Sequence, residues 1–497
     1  MVVPATGENS HDVAGPSHPQ RCFLNPIMSA PQSSEFSSAA ADRNVGLFVA
    51  FRVLFNARFY YPVFMVMFLD YGITVEEFAL LNAIWAAAIV LLEVPSGALA
   101  DLIGRRRLVV AGAALMVVEM LLLVVVPVPS AWVLPALAAN RIVSGAAEAF
   151  ISGADEALAF ESLVACGRTG EWPRVLERLL RASGIVTIIG MVTGSLVYDP
   201  GMLNTIVSRV GLAGGFTRLD TFRLPIWLTL VSALGAFAAA MAMREPPRVA
   251  PAGRQAEAPG QAEAPGLAEA PGLAAAFRQT AATGRWILTQ PLVLLVIVAG
   301  VLIDLPIRQV LVVSSEIYTE IGIPTLAFGL MSAASALLGL AVASPLRRLA
   351  LGASARANCL VLAACTIVGL VGISAFIPLG GVAFMILLST VLRMVVFLQS
   401  HYLNQLVDSG RRATVLSFRG LAVNVGYGLG CLGFAAATAA YGRIVGAENC
   451  FRAVVGLLPW LFVLVCVAFW SYSLRLVPNR AALTRPGGFG QTSTPSA

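Results

Sequence analysis

Twelve mostly apolar stretches of membrane-crossing length run through this chain. They lie at 46–69, 77–99, 108–127, 131–152, 182–202, 224–243, 286–312, 325–344, 357–377, 381–402, 413–440 and 452–475. About 20 helical residues cross the hydrocarbon of a bilayer. The stretches lack the alternating period of a transmembrane barrel strand. Inside lipid every backbone polar group must be satisfied within the structure, which leaves helices. The pattern therefore predicts an all-α membrane protein with twelve transmembrane helices. Composition agrees: 12% of residues are charged, against roughly a quarter in soluble domains.

Arginine placement sets the expected orientation. One set of loops carries Arg105–Arg107, Arg168 to Arg181, Arg244 to Arg285, Arg347/Arg348/Arg356, Arg411/Arg412 and the run from Arg475 to Arg485. The other set carries Asp70, Glu76, Glu77, Glu316 and Glu320, with fewer arginines. An even number of spans puts both termini on the arginine-rich side, the cytoplasm of a bacterial plasma membrane. The net charge of +6 comes from a chain without lysine. It suits loops beside anionic lipid rather than nucleic acid.

The chain divides into five parts. Residues 1–44 read as a disordered N-terminal tail, rich in Pro, Ser and Ala. Residues 45–243 and 286–475 form two six-helix bundles, and 476–497 a second disordered tail. Between the bundles, 244–285 reads as a flexible linker. Within it, 255–272 repeats a hexapeptide ending in Pro-Gly, which opposes a continuous helix. The bundles look like two copies of one pattern. Gly339 stands 242 residues after Gly97, and the same offset carries Arg105/Arg106 onto Arg347/Arg348. Ala343 replaces Asp101 in the second copy, and Leu346 replaces Gly104. Two pseudo-symmetric six-helix bundles suit alternating access at their interface.

Several chemistries have no support in the sequence. The seven cysteines are scattered, with no CxxC, so neither a metal site nor a disulfide framework is indicated. No GxxxxGK[ST] loop, HExxH or Ser/His/Asp arrangement is present. The expectation is a non-enzyme without cofactor or metal, active as a monomer with membrane lipid around it.

One motif is sharper. The run Gly97-Ala-Leu-Ala-Asp101-Leu-Ile-Gly104-Arg105-Arg-Arg107 closes span 2. It resembles the signature of the major facilitator superfamily in the loop between spans 2 and 3. Asn140-Arg141-Ile-Val-Ser-Gly145 resembles that superfamily's span 4 motif, Arg-x-x-x-Gly. The resemblance covers about 45–475. It lacks the full span 5 motif of many antiporters: only Gly190-Met-Val-Thr-Gly194 is present, with no proline. Glu93, Gly97 and Asp101 share one helix face. The resemblance implies that this face meets span 11, with Asp101 beside its N-terminus and pinned by Arg105 through a charge-assisted bond. Gly97, Asp101, Gly104 and Arg105 then form a latch that holds the outward-facing state. The plainer alternative is that the arginines only orient the helix. Arg419 in span 11 is placed to reach Glu93 as an ion pair between the bundles.

The resemblance also makes spans 1, 4, 7 and 10 the cavity lining. Each carries ionisable groups, which are costly at bilayer depth and tend to face the interior. Arg52, Asn56 and Arg58 lie in span 1, Arg141 and Glu148 in span 4, Asp304 and Arg308 in span 7, and Arg393 in span 10. Arg141 and Glu148 are on one face and are expected to pair loosely. Pro306, between Asp304 and Arg308, is expected to break its helix. Asp304 is the first choice for a proton-coupling carboxylate, followed by Glu148 and Glu119. The residues from Asp155 through Arg181 read as a cytoplasmic helix pair. The expected function is proton-coupled efflux of a small organic molecule. An uptake symporter for an anionic metabolite and a non-transporting scaffold or receptor on the same fold are the alternatives.

Overall fold

The computed structural model describes residues 37–211, 214–247, 273–407 and 409–476. The side chains of a few further residues, Asp101 among them, fall outside what is described, as do the hexapeptide repeat and most of both tails. Secondary structure among the described residues is helical throughout.

Span 1 is divided. It comprises Ser38–Asn56, a 3-10 turn at Tyr61–Val63, and Phe64–Leu69. Its N-terminal turn lies inside the stretch read as a tail, and two contacts explain why it is ordered. Ser37 caps the helix by accepting from the Ala40 amide. Buried Asn44 donates to Ser162 Oγ and to the Arg244 carbonyl. Spans 2 to 6 follow as Val75–Ile103, Arg105–Val125, Val133–Ile151, Trp172–Tyr198 and Leu224–Ala242. Spans 7 to 12 are Pro291–Val312, Thr325–Gly352, Ala355–Ser374, Gly381–Leu406, Ser409–Val445 and Ala447–Leu476. Shorter helices include Ala154–Val164 after span 4, Ser314–Glu320 after span 7, and Leu273–Thr289 ahead of span 7. The last begins within the stretch read as linker. Only one helix of the expected pair after span 4 is separate, because the second simply begins span 5.

Nine helices among the described residues are long and apolar enough to cross a membrane by composition alone. Spans 1, 4 and 8 miss that measure: the longer piece of span 1, Ser38–Asn56, carries Asp42, Arg43 and Arg52, and span 8 counts only as the shorter apolar stretch Thr325–Gly339. Span 4 misses it because Asn140, Arg141 and Glu148 dilute its hydropathy.

The two copies of the repeat differ for a local reason. Gly104 has φ +97°, a left-handed conformation that glycine adopts without a Cβ penalty. The helix stops there and span 3 starts at Arg105. Leu346 at the matching position cannot do this, so span 8 runs on past Arg347 and Arg348 to Gly352. Pro306 does not break span 7, which is one helix through Val312. The bidentate bond from Arg308 to Asp304 spans the proline. Packing in a bundle supplies what the missing amide removes.

Span 2 packs extensively on span 11, and span 5 on span 8. These pairs join the two bundles. On the arginine-poor side the closure is tight. Ser315 Oγ accepts from the Met65 and Val66 amides at 3.1 and 3.2 Å. Thr325 donates to Asp199 and Ser195 to the Leu326 carbonyl. Gly329 in span 8 presses on the Met191 carbonyl of span 5, where a Cβ would overlap it. Toward the arginine-rich side spans 2 and 11 diverge. Trp85 meets Tyr427 edge-on, and a Cβ at Gly428 would lie 3.1 Å from Ala86. At Gly420 the nearest atom, of Glu93, would lie at 3.9 Å, and at Gly97 nothing lies within 4 Å.

Candidate functional site: a charged cavity between the bundles

A cavity of about 460 Å³ lies between the bundles. Spans 1, 2, 4, 5, 7, 8, 10 and 11 all contribute to its wall. This size suits a small organic ligand. Tyr60, Tyr61, Phe64, Trp85, Tyr318 and Tyr427 form an aromatic wall, and Ser144, Ser332, Ser335 and Ser389 supply hydroxyls. The lining charges are Arg141, Glu148, Arg308 and Arg393.

Behind the wall sits a network that the sequence pattern leaves unresolved. Span 1 leaves the helix after Asn56, which turns Arg58 inward. Arg58 is 4% exposed and Glu119 fully buried. They pair at 2.7 Å. Arg58 also reaches Glu148 at 3.4 Å and donates to Tyr60 Oη at 3.1 Å. Arg141 donates twice to the side-chain oxygen of neighbouring Asn140 and lies 3.7 Å from Glu119. Its guanidinium also lies over Phe64 and Phe68. The expected Arg141–Glu148 pair is therefore not made: each residue takes a closer partner. On the other wall Arg308 donates to both oxygens of Asp304 at 2.7 and 2.8 Å. Asp304 is 3% exposed.

The family model of the major facilitator superfamily matches residues 46–431. The chain belongs to the major facilitator superfamily. It is accordingly a multi-pass secondary transporter and not an enzyme. Solved structures of this fold agree in shape. A point mutant of the nucleoside transporter NupG superposes with a TM-score of 0.64 at 11% identity, covering 87% of this chain and 99% of that one. An inward-facing bacterial homologue of the human lysosomal transporter Spinster gives 0.61 at 13%, covering 89% and 98%. A D-xylose–proton symporter gives 0.58 at 12%, covering 91% and 98%. No curated protein sequence matches the chain.

Within this superfamily fold, the sequence candidates separate into groups. Arg58, Glu148, Asp304, Arg308, Arg141 and Arg393 line the cavity or bond directly to residues that do. Arg52 and Asn56 do not. Arg52 pairs with Asp155 at 2.9 Å and Glu156 at 3.4 Å on the helix that follows span 4. Asn56 donates to the Arg52 carbonyl. The helical break after Asn56 places them on the arginine-rich side of the network.

At the latch, Arg105 pairs with Glu161 at 2.9 Å. The expected Asp101–Arg105 bond lies outside the described side chains. Glu93 and Arg419 do not pair: Glu93 Oε2 and Arg419 Nε are buried without hydrogen-bond partners. Glu93 does lie against span 11, with Oε1 3.9 Å from where a Cβ at Gly420 would stand, yet it makes no ion pair with the adjacent Arg419. Reasoning from sequence passed over Glu245, whose carboxylate accepts from the Arg105 and Arg106 amides at 2.9 and 2.8 Å. It satisfies the free amides that begin span 3. The two prolines after it, Pro246 and Pro247, were the available signal of a fixed exit from span 6. Gly194, where a Cβ would overlap the Phe59 carbonyl, and Gly329 were also missed as contact points.

Asp155 gives a pH prediction. Its side chain is fully buried. Burial pushes its carboxyl up to about 6, against the opposing pull of Arg52. An acid raised in the folded state binds its proton more tightly there than when unfolded. Its contribution to stability therefore falls as pH rises from about 4 through 6. Asp155→Asn is expected to gain on the order of 2 kcal/mol relative to wild type between about pH 4.5 and 7.5. Unfolding midpoints of both proteins across that range check this. A constant gap between them refutes it.

Proposed function

We propose that the chain exports a small organic molecule across a bacterial plasma membrane, driven by inward proton movement. Both termini then face the cytoplasm, and the protein works as a monomer in the lipid bilayer. The observation that carries this reading is Asp304: a buried carboxylate held bidentately by Arg308, which lines the inter-bundle cavity. Proton uptake at Asp304 frees Arg308, and its loss restores the pair. Glu148 and Glu119 bond to Arg58 and are second in line.

The described arrangement corresponds in this reading to an inward-facing state. The arginine-poor side is closed by Ser315, Asp199 and Gly329, and spans 2 and 11 splay toward the arginine-rich side. Nothing lies within 4 Å of a Cβ at Gly97 here and Arg105 pairs with Glu161; in this reading the latch of Gly97, Asp101, Gly104 and Arg105 closes when span 11 seats on Gly97. Glu93 and Arg419 then come within reach of each other. Buried unpaired polar atoms are costly, which supports a second state in which both are satisfied. An uptake symporter for an anion is the second reading, favoured by Arg393.

Comparing metabolites in cells and medium tests the export reading. Untargeted mass spectrometry is run on cells making wild type or Asp304→Asn. Export predicts a compound enriched in the medium with wild type only. Enrichment inside the cells reverses the direction. Undiminished proton-driven flux through Asp304→Asn removes that residue from coupling.

A further inference from the structure

The charges around the cavity do not cancel, and the residue left over is Arg393. Arg58 and Arg141 face Glu119 and Glu148, and Arg308 is matched by Asp304. Glu93 and Arg419 carry opposite charges on adjoining parts of spans 2 and 11, although they make no contact. Arg393 has no hydrogen bond or ion pair among the described residues, and its side chain is exposed on the cavity wall. It is also held in a built seat. A Cβ at Gly339 of span 8 would lie 2.9 Å from Arg393 Nε and 3.1 Å from its Cζ. The absence of a side chain at Gly339 is what lets the guanidinium sit this close to span 8.

We propose that Arg393 is the anchor for the carboxylate of a small aromatic monoanion, and that this is the cargo. The inference rests on the transporter reading above and names its substrate class. A guanidinium offers a planar pair of donors that matches a carboxylate bidentately. One unmatched cation calls for one negative charge, since Arg141 and Arg308 already have partners. Across the cavity, Tyr60, Tyr61, Trp85 and Tyr427 present ring surface for the cargo's body. Ser389, one helical turn before Arg393, and Ser335 also line the cavity, each hydroxyl donating to a carbonyl of its own helix. Arg393 binds the substrate, and Gly339 is a positioning residue that acts through it.

Isothermal titration of the purified full-length protein in detergent tests this, with benzoate and indole-3-acetate as probes and benzamide and indole-3-acetamide as neutral matches. Wild type is expected to bind the acids and not the amides. Arg393→Gln should weaken acid binding by about 10- to 100-fold, the loss of one charge-assisted pair. Arg393→Lys should recover part of it. Gly339→Ala, which displaces the guanidinium without deleting it, should weaken the acids and leave the ligand-free unfolding midpoint unchanged. That midpoint should also survive in Arg393→Gln, which removes no internal bond. Equal binding of amides and acids overturns the proposal, as does full acid binding by Arg393→Gln. Failure of every probe to bind wild type overturns the aromatic monoanion and leaves the export test standing. Acid binding without counterflow in proteoliposomes upholds the anion site and removes the transport reading instead.

Discussion

Arg58→Gln is expected to destabilise the protein by about 3–5 kcal/mol, the usual loss when one member of a buried ion pair is deleted. Glu119 is fully buried and depends on Arg58 for its 2.7 Å contact. One of its oxygens has no hydrogen bond even in the intact protein. Without Arg58 the nearest cation is Arg141 at 3.7 Å. Glu148 loses its contact with Arg58 as well. Arg58→Lys should recover little, because a point charge cannot bridge Glu119, Glu148 and Tyr60 together. The double change Arg58→Gln/Glu119→Gln removes both charges, so it should lose less than Arg58→Gln alone. Denaturant unfolding of the single and double variants in one detergent measures this. A double variant less stable than Arg58→Gln would show that Glu119 is not the stranded charge.

Gly329→Ala is expected to shift the conformational balance rather than the fold. A methyl group there overlaps the Met191 carbonyl and Ser195 Oγ of span 5, so the bundles must part on the arginine-poor side. Overpacking of this kind costs about 1–3 kcal/mol, a shift of roughly 5- to 150-fold between two states. A cysteine introduced as Met65→Cys, at a position buried beneath the closure, reports the change. On a background without the native cysteines, a membrane-impermeant maleimide should label it faster when Gly329→Ala is present. Gly433→Ala is the control, since nothing lies within 4 Å of a Cβ there. Equal labelling in the glycine and alanine versions at 329 would separate this contact from the gate.

Most of the architecture was readable because it follows from hydropathy and from glycine. The twelve spans fall where the apolar runs fall. The turn between spans 2 and 3 falls at Gly104, where only glycine adopts the backbone angle without strain. Other features depend on tertiary contacts that no local pattern reports in full. The residues Ala57–Tyr60 break span 1 just ahead of Pro62, whose ring and missing amide oppose a helix running back to Arg58. That break decides the partners of Arg58, since the helical spacing of Arg52 and Arg58 no longer applies. Pro306 misled in the opposite direction, because the surrounding bundle and the Asp304–Arg308 bond keep its helix whole. The choice of Glu119 over Glu148 as the closest partner of Arg58 reflects packing between spans 1, 3 and 4. The charge left unmatched at Arg393 emerges only once every other partner in the cavity is assigned.

Distances between spin labels on the two sides of the membrane test alternating access most directly. One pair is placed at Leu180→Cys and Leu349→Cys, exposed on the arginine-rich ends of spans 5 and 8. The other is placed at Leu219→Cys and Ile444→Cys, exposed on the arginine-poor side. Electron–electron resonance is recorded in lipid nanodiscs across a range of pH, with Asp304→Asn beside the otherwise unchanged protein. The account predicts reciprocal movement: the first distance shortens as the second lengthens, and Asp304→Asn fixes the balance against pH. Distances that never change, or that change together in the same direction, would contradict it.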